Sequence, residues 1–212
     1  MQKGIILFDV DRTILDTDKM SSLRNEAILK ILNTTDFEKV KSTKDSYRST
    51  LKNERDYVPE DYIKLLCENF NFKDSRLLLK TYYGEEFKYV YEDSIFPDVK
   101  DIFSQLKDKF RLGVFSEGTN KYQTHKFRSM NLNEYFDKDL IFILDAKDNK
   151  EAVNKIPKGA IVVDDKERIC EFLTEHRIKA IWLNKKDGRV SPNFQTIHNL
   201  VELPDYLQDG TL

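Results

Sequence analysis

Five short apolar runs restrict what this chain can become. They are GIILFDVD at 4–11, RLGVFS at 111–116, LIFIL at 140–144, AIVVDD at 160–165 and AIWLN at 180–184. In each, apolar residues follow one another instead of alternating with polar ones, the pattern of strands buried on both faces of a parallel sheet. Helical spacing fills the intervals. Val99, Ile102, Phe103 and Leu106 recur at three and four, and Cys170, Phe172 and Leu173 follow the fourth run. This alternation predicts an α/β domain with a doubly wound parallel sheet.

One interval breaks the rhythm. About a hundred residues separate the first and second runs, where a crossover needs only a dozen or so. Residues 20–33, 36–52, 60–71 and 74–92 of that interval have helical periodicity, with Pro59 placed to open the third helix and Asp74 to cap the fourth. The expected organisation is an α/β core of residues 1–16 and 94–212, with residues 17–93 inserted as a small all-helical domain.

In open α/β sheets ligands bind beyond the carboxyl ends of the strands. Here those ends are polar. Asp9, Val10, Asp11, Arg12 and Thr13 close the first run, Ser116, Glu117 and Gly118 the second, and Asp164 with Asp165 the fourth. Carboxylates gathered in one crevice repel and raise one another's pKa unless a cation neutralises them, and an all-oxygen ligand set suits Mg²⁺. A calcium loop starting at Asp9 fails, because Ile14 stands where such a loop needs glycine and Met20 where it needs a bidentate glutamate.

These residues give the chain its resemblance to the haloacid dehalogenase-like (HAD) superfamily of phosphohydrolases. Four motifs stand in the family's order: FDVDRT at 8–13, VFSEG at 114–118, Lys150 in DNKEAV, and VVDD at 162–165. The IFPDVKDIFSQLKDKFRLGVFSEG stretch at 95–118 looks like the segment by which such proteins return from a cap inserted after the first motif. Two positions depart from the pattern: Arg12 stands where the family usually has Gly, and Glu117 where it often has Asn. For the motif lysine, Lys147 and Lys155 are close by; Lys150 is preferred for its spacing to the acidic pair.

The resemblance implies a Mg²⁺-dependent phosphatase that acts through an aspartyl-phosphate. Asp9 is the expected nucleophile and Asp11 the acid/base partner, with Ser116 and Lys150 completing the catalytic set. Thr13, Ser116, Glu117, Gly118 and Arg12 are expected at the substrate phosphate, and Asp9, Asp11, Asp164 and Asp165 at the metal, Asp11 through its backbone carbonyl. A catalytically idle binding or regulatory protein and a phosphomutase are the alternatives.

Bulk properties exclude other classes. With 35 basic against 37 acidic residues and a net charge of −2, no basic field exists for nucleic acid. The run Ile5 to Phe8 is too short for a signal-peptide core, and no stretch reaches the roughly 18 apolar residues of a spanning helix. Cys67 and Cys170 are expected as free buried thiols. His125, His176 and His198 lack ligand spacing and are expected at the surface. The expectation is a cytoplasmic monomer acting on a small phosphorylated metabolite, without nucleic-acid or membrane partners.

Overall fold

The structure, a computed structural model, describes residues 3–208. In chain order its elements are β1 (Gly4–Phe8), α1 (Thr17–Leu32), α2 (Phe37–Ser49), α3 (Pro59–Phe70), α4 (Ser75–Tyr83), α5 (Tyr89–Glu92), α6 (Val99–Leu106), β2 (Phe110–Glu117), α7 (Asn120–Ser129), β3 (Phe136–Leu144), α8 (Lys150–Lys155), β4 (Ile161–Asp164), α9 (Glu167–Glu175), β5 (Lys179–Leu183), β6 (Gln195–Ile197) and α10 (Leu203–Gln208). They form two compact units. One comprises the chain up to Asp16, Ile95–Glu117 and the chain from Asn131 onward; the other comprises Thr17–Ser94 and Gly118–Met130. No helix among the described residues is long and apolar enough to cross a membrane.

The first unit is an α/β domain around a six-stranded sheet of order β3-β2-β1-β4-β5-β6, with every pairing parallel. Both faces of the central strands are covered. From β1, Leu7 joins Phe115, Leu144, Val162, Ile169 and Leu173 in a core built with α8 and α9. Its neighbour Phe8 points the other way, 4.9 Å from the ring of Phe103 on α6, which in turn meets Phe136 at 5.1 Å. Alternate residues of one strand thus bury against opposite helical layers, which requires continuous apolar runs.

The sheet also contains β6, three residues with no apolar run, which sequence periodicity could not show. Gly113 on β2 sits opposite Leu7 in the register with β1. A Cβ there would lie 2.4 Å from the Leu140 carbonyl oxygen and 2.6 Å from Leu7 Cδ2, so only glycine lets β3 approach.

The second unit is helical. Pro59 occupies the first turn of α3, and the Asp74 side chain accepts from Leu77 N at 3.0 Å to cap α4. The periodicity over 74–92 does not make one helix: the chain breaks at Gly84, whose Cβ would stand 2.8 Å from the Lys80 carbonyl, and resumes through a short 3-10 turn into α5. A second difference concerns α7, assigned to the core by its position in sequence. It groups with the helices because Tyr122 packs edge-on against Tyr82 at 5.6 Å and accepts a hydrogen bond from Arg24 at 3.1 Å.

Replacing Gly113 with Ala should cost about 1–3 kcal/mol through overpacking between strands. Urea unfolding of the two proteins checks this, and an unchanged midpoint would show that β3 does not pack as closely as described.

Candidate active site

The sheet order reverses direction between β1 and β4, and at such a switch point the flanking loops part to leave a crevice. Asp9 follows β1 directly and Asp164 ends β4. With Asp165 they form a cluster whose carboxylate oxygens lie within 4.8 Å of one another. Asp9 is 3% exposed and Asp164 fully buried.

The counter-charge comes from Lys147. Its side chain is fully buried, and its ammonium donates to Asp9 Oδ1 at 2.7 Å and to Asp164 Oδ2. Lys150, preferred from spacing, is exposed at the first turn of α8, so that expectation is corrected. The signal for Lys147 was positional. The third strand stops at Leu144, so Lys147 lies in the strand-end loop that faces the crevice, while Asn149 caps α8 by accepting from Ala152 N at 2.8 Å and carries Lys150 away.

Burial, opposed by Lys147 and reinforced by the neighbouring carboxylates, raises Asp9 to about 7. Burial and then Asp164 raise Asp165 to about 6. One ammonium therefore does not neutralise the cluster, and the all-oxygen set fits a hard divalent cation. Asp164 has both carboxylate oxygens engaged, Oδ1 accepting from Lys166 N at 2.9 Å. Among the described residues, the Asp165 carboxylate and Asp9 Oδ2 accept no hydrogen bond and remain available as ligands.

The turn after β1 explains Arg12. Its φ is 60°, the left-handed conformation that a glycine would take without penalty. The turn is fixed from several sides: Ile14 N and Leu15 N both donate to Val10 O, Arg12 N donates to Leu15 O at 2.8 Å, and Lys185 Nζ donates to Arg12 O at 3.2 Å. Lys185 also lies 3.2 Å from the centroid of the Phe96 ring. Sequence reasoning missed it, since one lysine after β5 carries no motif.

Thr13 and Ser116, expected at the substrate phosphate, are buried, and neither hydroxyl has a hydrogen-bond partner. Asp11 is half-buried in the same turn. Glu117 uses its side chain as a scaffold, accepting from Lys147 N at 3.1 Å, Lys166 Nζ at 2.8 Å and Arg168 Nη2 at 3.0 Å. Burial raises its pKa, but Lys166 and Lys147 overcome that and bring it down to about 2. Gly118 follows at φ 140°, and a Cβ there would meet Gln123 Nε2 at 2.7 Å.

Cys67 and Cys170 are free thiols. The histidines stand outside the carboxylate cluster: His125 packs on Tyr83 and Tyr91, and His176 and His198 donate to the Phe172 and Asn184 carbonyls. His198 is exposed, and His125 and His176 are half-buried.

A family model described as haloacid dehalogenase-like hydrolase matches residues 6–156, more than half of the chain. The chain belongs to this family. No curated protein matches it. Among solved structures it is similar to YfnB of Bacillus subtilis, bound to magnesium, with 21% identity, TM-score 0.66 and coverage of 98% of this chain and 99% of that one. A HAD phosphatase from Thermococcus onnurineus has 19% identity and TM-score 0.61, covering 97% and 98%. A 2-haloacid dehalogenase from Pseudomonas syringae pv. Tomato also has 19% identity, with TM-score 0.65 and coverage of 98% and 99%. Identities this low establish the shared fold.

Removing a buried ammonium leaves its partners uncompensated, so Lys147→Met should lose about 3–5 kcal/mol of stability, whereas Lys150→Met should stay within about 0.5 kcal/mol of wild type. Chemical denaturation distinguishes them, and equal losses would contradict the assignment.

Proposed function

We propose that this HAD-family hydrolase is a Mg²⁺-dependent phosphatase of small phosphate monoesters. The observation that carries the reading is the packing of Asp9, Asp164 and Asp165 around one ammonium, with Asp9 Oδ2 left open. Displacing a halide from carbon requires neither a metal to shield an anionic substrate nor an acid for the departing atom. Phosphate chemistry requires both.

In this reading Asp9 Oδ2 attacks phosphorus as the bond from phosphorus to the ester oxygen breaks. Asp11 gives its proton to that oxygen. It then takes one from the water that attacks phosphorus and frees the Asp9 carboxylate. Lys147 holds Asp9 in place and offsets charge on the phosphoryl group, and the unpartnered hydroxyls of Thr13 and Ser116 donate to phosphoryl oxygens. Asp9, Asp165 and the Asp11 carbonyl would hold Mg²⁺, which supplies Lewis-acid neutralisation of the phosphate. Glu117 contributes through its carboxylate, which is turned toward Lys147, Lys166 and Arg168 and helps to hold the lysine loop in place.

Hydrolysis of a chromogenic aryl phosphate, measured for wild type and Asp9→Asn with Mg²⁺ and with chelator, tests this. Turnover is expected only from wild type with metal, with the variant down at least about 10³-fold. Comparable turnover by Asp9→Asn, or by wild type in chelator, would refute the reading.

A further inference from the structure

Among its described residues the helical unit buries three cations, Arg24, Lys44 and Lys126, and the first two make no ion pair with a carboxylate. Arg24, on α1, is 1% exposed. Its guanidinium carbon lies 4.1 Å from the Tyr82 ring centroid, 5.0 Å from that of Tyr91 and 5.9 Å from that of Tyr122. Nε donates to the Thr81 carbonyl at 3.2 Å and Nη1 to the Tyr122 hydroxyl at 3.1 Å. Nη2 is buried and donates to nothing.

The second cation is Lys44, on α2, 7% exposed. Its ammonium donates to Ser21 Oγ at 2.5 Å. Ser21 precedes Arg24 by three positions on α1, so the two side chains share one helix face and bring the cations near each other. Burial, and after it the charge of Arg24, press Lys44 down to about 7. Tyr62 on α3 adds a fully buried hydroxyl without a partner, on which Arg24 also acts electrostatically. Half-buried Tyr57 borders the cluster, its hydroxyl 2.6 Å from that of Tyr82.

A guanidinium stays protonated at any accessible pH. Ring faces offset only part of its lost hydration, and a second buried cation adds repulsion. Proteins otherwise pair a carboxylate with such a cation; here Asp45 and Asp18 act on Lys44 electrostatically but neither pairs with it or with Arg24. What the group lacks is an ion-pair partner for its cations and a hydrogen-bond partner for Nη2 and for the Tyr62 hydroxyl.

We propose that Arg24, Lys44 and the Tyr62 hydroxyl form an oxyanion site in the helical unit, taking the phosphate or carboxylate group of a small molecule. The site uses no residue of the sheet unit and does not depend on the chemistry assigned to Asp9. A second acidic group on the substrate and a free anion share this chemistry, and the experiment separates them.

The test is calorimetric titration of the full chain with inorganic phosphate in chelator, for wild type, Ser116→Ala, Lys44→Met and Tyr62→Phe. Ser116→Ala, which disturbs only phosphate held in the sheet unit, should keep the binding event that Lys44→Met weakens. Lys44→Met should weaken binding about tenfold or more, as loss of one charge-assisted contact, and Tyr62→Phe, which keeps the ring, should weaken it several-fold. Failure of wild type to bind, or binding lost in Ser116→Ala and kept in Lys44→Met, would overturn the proposal. Among aryl phosphates, an effect of Lys44→Met on KM confined to esters bearing a second acidic group identifies the substrate as the anion's source; an effect seen only when free phosphate is added identifies a separate anion.

Discussion

The Lys147 ammonium stands between Asp9 after β1 and Asp164 at the end of β4, so one buried charge joins the two central strands of the sheet to the loop that follows β3. Its placement is secured in turn by Glu117, which accepts from the Lys147 backbone. Without this ammonium, three carboxylates would share a space under 5 Å wide with no positive charge inside it. With it, repulsion is reduced but not removed, as the raised pKa values of Asp9 and Asp165 record. The site is thereby held together and left short of positive charge, a condition suited to a divalent cation.

The turn after β1 has a complementary design. Arg12 takes a backbone conformation that costs a non-glycine residue roughly 1–2 kcal/mol. Hydrogen bonds from Ile14, Leu15 and Lys185 to the turn's carbonyls hold it there, and strain of this kind persists only when its surroundings over-determine it. Arg12 therefore takes the left-handed conformation that a glycine would adopt without penalty. Lys185, from the far side of β4, shows how a residue without any motif supports one.

Much of this was legible in the sequence. Both-face burial writes itself as continuous apolar runs, and because ligands bind beyond the carboxyl ends of the strands, Asp9 and Asp164 are expected at the same end of the sheet from the sequence. The lysine was misplaced because spacing to the acidic pair was weighed above position relative to the strand end. Residues 118–130 follow a core strand, and their packing in the helical unit depends on tertiary contacts of Tyr122 that no local pattern encodes. β6 is three residues long and depends on its neighbour for pairing. Arg24 was invisible for a related reason: one arginine on an amphipathic helix reads as solvated, and only the tyrosines converging from α4, α5 and α7 show that it is buried.

The central claim is that Asp9 carries the phosphoryl group during turnover. Acid quenching in the first turnover of an aryl phosphate, followed by mass spectrometry of the peptide containing Asp9, tests it most directly. The account predicts one phosphoryl group on Asp9, appearing and decaying at rates that match product release. Turnover with that peptide unmodified throughout, or with the group on another residue, would contradict it.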